Sequence, residues 1–152
     1  MRSVALLTMA VLALMTTGCP DNSGGSVAVS PTGPAPVFVN ITCDPQADPQ
    51  AMDMALKLAG FSLDEGRSVF LFFNVKGVKF PLKDFPADFA FGEDALLSQL
   101  SGLIERGATV HVCPICMKAL GIEASQVMDG AEVTTRAGLF ERIGPQTVVF
   151  SY

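Results

Sequence analysis

Two hydrophobic periodicities alternate along this chain, and that alternation restricts its fold more than any other feature. Short runs rich in β-branched and aromatic residues recur as VFVNIT (37–42), SVFLFF (68–73), ATVHV (108–112) and TVVFS (147–151). They are nearly continuous in apolar character, as expected of strands covered on both faces. Between them the period lengthens to that of a helix. Residues 49–64 set Met52, Ala55, Leu56, Ala59 and Leu63 along one stripe, and residues 93–106 do the same with Leu96, Leu97, Leu100, Leu103 and Ile104. Glu93 and Asp94 open the second stripe and Arg106-Gly107 closes it, which suits the helix dipole and the glycine preference at a helix end. A last helix over about 135–143 offers Leu139, Phe140 and Ile143 before Gly144, and a strand at 131–133 after Asp129-Gly130 makes the fifth. The pattern predicts an α/β fold: a three-layer α/β/α sandwich with a mostly parallel, about five-stranded sheet.

The 152 residues, 49% hydrophobic and 16% charged, suffice for one good core. They divide into three segments. Residues 1–18 carry Arg2, the apolar run VALLTMAVLALM (4–15) and small residues before Cys19, the layout of a lipoprotein-type signal peptide. The run is shorter than the roughly 20 residues a spanning helix needs. Cys19 is then the expected acylated N-terminus; the alternative is a plain secreted protein with an odd cysteine. Residues 19–36 read as the acylated cysteine and a Pro/Gly/Ser-rich flexible tether, and residues 37–152 as the folded domain. The expected location is extracytoplasmic, on the periplasmic side of a bacterial membrane, with the lipid on Cys19 as anchor. Net charge is −5, and loss of Arg2 with the leader makes it −6, which argues against nucleic acid as a partner.

The chemistry concentrates in HVCPICMKALG (111–121). Cys113 directly follows one predicted strand and Cys43 another, so in a parallel sheet both thiols belong to the carboxyl-end rim. Pro114 suits the first position of a helix, which makes Cys113 its N-cap and puts Cys116 one turn in, with Gly121 ending the helix. A helix start favours thiolate, so Cys113 is the candidate nucleophile. Cys43 is either a small apolar residue closing a strand or, within about 6 Å of the pair, a resolving thiol. Four readings stay open: single-thiol sulfur chemistry at Cys113, dithiol–disulfide exchange between Cys113 and Cys116, a metal site adding Cys43 and His111, and a turn that merely contains sulfur. No second CxxC or paired-histidine motif supports the metal, and neither a metal nor a cofactor is expected. A thioredoxin core would place its CxxC earlier, before the second strand–helix unit. Phosphate-cradling glycine loops and serine-triad patterns are absent. The connection 75–92, with Phe80, Phe85, Phe89 and Phe91, reads as a satellite hydrophobic cluster, or else as a subunit interface or a lid.

Strand, cysteine, short helix and glycine in VCPICMKALGI, together with LFFNVKGVKFPLK (71–83) and the terminal TVVFS, resemble the DsrE/DsrF-like family, the DsrE/TusD sulfur-relay proteins. The resemblance spans about residues 37–152. It implies that Cys113 accepts a persulfide, that a sulfur-donor or acceptor protein is the partner, and that the chain forms a homo-oligomer. Export and the second cysteine, Cys116, depart from the family's usual pattern.

Overall fold

The computed structural model describes residues 33–152. The leader, Cys19 and the tether as far as residue 32 lie outside the described residues. Five strands form: β1 (Val37–Ile41), β2 (Val69–Phe73), β3 (Thr109–Val112), β4 (Ala131–Val133) and β5 (Val148–Ser151). The helices between them are α1 (Pro49–Asp64), α2 (Leu96–Glu105), α3 (Pro114–Ala119) and α4 (Arg136–Phe140). The sheet order is β4-β3-β2-β1-β5 and every pairing is parallel, so the sheet is wholly rather than mostly parallel.

The handedness of crossovers explains the layers. From β1 to β4 the chain steps across the sheet in one direction, and right-handed connections put α1, α2 and α3 on one face. The return from β4 to β5 reverses direction and carries α4 over the other. Packing agrees. Val39, Ile41, Leu71, Phe73 and Val110 point to the first face and pack with Met52 and Leu56 of α1 and Leu96 and Leu100 of α2. Phe38, Phe70 and Phe72 alternate to the second face, where Leu139 of α4 rests on them and the Arg142 guanidinium lies 5.7 Å from the Phe70 ring centre.

Local signals set the first helix. The Asp48 carboxylate accepts from the Ala51 N–H at 3.1 Å and Pro49 occupies the first helical position. The stripe expected for it is buried except at Leu63, which is half-buried. Asp53 is an addition the pattern did not reveal. Only 2% exposed, it receives Lys57 Nζ at 2.8 Å and Gln99 Nε2 at 3.0 Å, so both its oxygens are partnered in the seam between α1 and α2.

Three expectations for the regular elements need correction. The second helix starts at Leu96, not at Glu93: Ala95 is its N-cap, while the Leu96 N–H bonds back to Phe89 O at 2.9 Å and leaves Glu93 and Asp94 in the preceding turn. The last helix runs over Arg136–Phe140, not 135–143; Thr135 caps it, and Phe140 and Ile143, expected to face the core, stand 61% and 41% exposed. β5, expected to be covered on both faces, is exposed at all four residues because among the described residues it is an edge strand with β1 as its one neighbour.

The connection 75–92, expected to form a satellite cluster, instead joins the main core through Phe80 and Phe85, with Phe89 packed against it and Phe91 exposed. Phe80 and Phe85 are buried, and rings meet in a chain from Phe73 to Phe80 (5.8 Å), Phe85 (5.0 Å) and Phe89 (5.4 Å). Gly77 lets this segment press against the end of β1, for a Cβ there would collide with the Ile41 carbonyl.

Candidate functional site

Parallel strands bring all five carboxyl ends to one rim. The chain leaving β3 turns into α3 toward the first face, whereas the chain leaving β4 turns toward α4 on the second. A topological switch point therefore lies between β3 and β4, the place where open α/β sheets form their sites. Cys113 is the first residue past β3, tied by its N–H to Phe73 O at 2.9 Å; Thr134 is the first past β4, tied to Val112 O at 3.0 Å.

Cys113 is the N-cap of α3, in extended backbone, with Pro114 as the first helical residue. Its half-buried side chain packs against two clusters at once, that of Val112 and Met117 and that of Phe38, Phe70 and Phe72. Cys116 is half-buried one turn on, and its Sγ accepts the Val75 N–H at 3.1 Å. Val75 has φ 51°, a left-handed conformation that costs a β-branched residue about 1–2 kcal/mol. Asn74, hydrogen-bonded to Asn40 and through it to Ser151, holds the exit of β2 from which that amide projects. The Cys116 thiol is raised above its ordinary range first by burial and then by the neighbouring Cys113, while the Val75 amide opposes the rise.

Cys43 shares the rim but not the pair. β2 lies between β1 and β3, so Ile41 and Val112, both level with Phe73, stand two strand spacings or about 10 Å apart, beyond the roughly 7 Å a disulfide tolerates between Cα atoms. Its thiol packs on the main core and is pushed up to about 11, chiefly by burial and further by Asp48 and Asp44. All three are free thiols.

His111 points to the aromatic face. It stacks on Phe70 at 4.6 Å between ring centres, is 6% exposed, and leaves Nδ1 without a hydrogen-bond partner. Burial lowers its pKa, Arg142 adds to the fall, and Glu132, with an oxygen 4.0 Å from Nε2, works against it. Cys43 packs with the other face, so the four side chains considered for a metal are divided between the two; among the described residues no three His, Cys, Asp or Glu gather as a metal site.

The arrangement therefore offers two neighbouring thiols, one at a helix start and one under a backbone N–H, open to small reactants along the rim. Val75 is the site residue that sequence reasoning missed. Nothing in the local sequence marks Val75, since valine is among the residues least suited to its backbone angle.

No curated protein matches the chain in sequence. Several solved structures share its fold, among them two of bacterial and archaeal origin. The ychN protein of E. coli aligns with TM-score 0.60 and 18% identity over 76% of this chain and 98% of its own. Protein MTH1491 of Methanobacterium thermoautotrophicum, of unknown function, aligns with TM-score 0.60 and 14% identity over 78% of this chain and 100% of its own. The model of the DsrE/DsrF-like family matches residues 37–144, a span that contains every helix, four of the five strands and all three rim cysteines, and the chain belongs to that family.

Proposed function

We propose that this is an exported, membrane-tethered sulfur-relay protein in which Cys113 carries sulfur as a persulfide between partner proteins. The observation that carries the reading is the thiol at the β3–α3 junction, beside the switch point of a sheet belonging to a family generally concerned with sulfur relay. Half-burial suits a carrier: the sulfur is reachable by a partner's thiol, yet apolar neighbours limit its loss to solvent. The tether rests on the sequence before residue 37, with Cys19 as the acylated residue and the extracytoplasmic side as the location. Self-association fits the edge that β5 forms among the described residues, where Val148 and Phe150 join the exposed Phe61 of α1 in an apolar strip.

Mass spectrometry of the reduced protein after exposure to inorganic polysulfide tests the central claim. A gain of about 32 Da in Cys116→Ser, where no neighbouring thiol can discharge it, is expected and should be abolished by adding Cys113→Ser; an unmodified Cys113 in that variant overturns it. Cys19→Ala should release the protein from the membrane fraction, and a strict monomer in light scattering would end the oligomer reading. The second reading, thiol–disulfide exchange, is favoured by the placement of Cys113 and Cys116 one turn apart at the start of α3 against a shared cluster and calls for a loss of about 2 Da on oxidation.

A further inference from the structure

A carrier thiol needs no second thiol at its side, and here one is held in place. Cys113 and Cys116 occupy the N-cap and the third residue of α3, and both pack against the cluster of Val112 and Met117. Cys113 has extended backbone and makes no side-chain hydrogen bond to the helix start, which leaves its sulfur without a capping partner. Cys116 is fixed by the Val75 N–H, delivered from a left-handed residue. That amide is a positioning donor: it aims one lone pair of the sulfur away and stabilises negative charge as it develops there. Cys43 offers no competing thiol, because β2 intervenes and burial holds it protonated.

We propose that Cys116 discharges the sulfur carried by Cys113, so that the protein reduces sulfane sulfur to hydrosulfide. This rests on the persulfide reading and extends it. The Cys116 sulfur attacks the inner sulfur of Cys113–S–S⁻ and forms the Cys113–Cys116 disulfide. The bond between inner and outer sulfur breaks, and the outer atom leaves with the electron pair, takes the proton given up by Cys116, and departs as HS⁻. The sulfane sulfur gains two electrons and the cysteine pair loses two. The sulfur source is a polysulfide or a low-molecular-weight persulfide, and an external dithiol restores the pair by thiol–disulfide exchange.

The test uses the reduced full chain, freed of reductant, exposed briefly to inorganic polysulfide and then quenched by alkylation. Hydrosulfide and intact mass are read together. Wild type should release about one equivalent of hydrosulfide more than Cys116→Ser and lose about 2 Da. Cys116→Ser and Cys116→Ala should both keep the gain of about 32 Da, which outlives the wild-type adduct by at least tenfold, because a neighbouring thiol acts at a high effective concentration. A wild-type adduct as long-lived as that of the Cys116 variants, without extra hydrosulfide, overturns the discharge step and leaves the carrier role standing. Failure of Cys113 to take up sulfur in any variant overturns the carrier role, and the discharge step with it.

Discussion

The two faces of the sheet are covered very differently. Beneath α1 and α2 the strands present Val39, Ile41, Leu71 and Phe73, each with no exposed surface, against Leu56, Leu96 and Leu100. On the reverse of the same strands, Phe38, Phe70, Phe72 and His111 lie under a five-residue α4 that buries none of its own residues. The difference teaches that folding energy is concentrated on one side, while the other is a thin aromatic layer next to the thiols. Elements that make few buried contacts open at low cost, so the α4 side is where the rim can yield.

Leu100→Ala should break the comparison most visibly, with a loss of about 2–5 kcal/mol in urea unfolding, against less than about 1 kcal/mol for Leu139→Ala. Comparable losses from the two would mean that α4 carries as much of the fold as α2. Thiol reactivity sharpens the contrast within the rim. With its pKa pushed up to about 11, Cys43 should be alkylated in the native protein about two orders of magnitude more slowly than an ordinary thiol near neutral pH, and Cys113 should lead Cys116. Peptide mapping of timed labelling gives the order; uniform rates for the three would erase it. Val75→Gly relieves the left-handed strain and should raise stability by up to about 1 kcal/mol, net of the added flexibility of the unfolded chain. A loss instead would show that the valine side chain contributes packing.

His111 gives the smallest effect. Its pKa lies below the ordinary value in the folded protein, so the unfolded chain binds a proton first, and stability falls as pH drops below about 6.5 toward the folded value. His111→Phe, which keeps a ring against Phe70, should flatten that part of the stability–pH curve. An unchanged slope would assign it to other groups.

Strands and helices were legible where a residue's burial follows from its own element. The stripe from Met52 to Ala59 and the run VFLFF needed only periodicity, and Pro114 alone located the start of α3. Burial set by neighbours was not legible. β5 is as apolar as β1, yet it lies open because sheet order leaves it at the edge, and order is not written in the period of a strand. The same gap applies to Cys43: its rim follows from parallel strands, while its distance from Cys113 depends on β2 lying between them. Asp53 and Val75 escaped for a third reason. Their places are set by tertiary partners, Lys57 and Gln99 for one and Cys116 for the other, which override what each residue type prefers locally.

Cys113 touches the packing on both sides of the slab. An atom added to that half-buried sulfur either projects from the rim or presses on Met117 and its neighbours or on the phenylalanines behind, and of those two layers the aromatic one is the less densely covered. Under the proposed carrier role, a loaded and an empty Cys113 would differ in how closely α4 packs on the aromatic layer, so that sulfur on the thiol would be expressed as a change of shape at the rim.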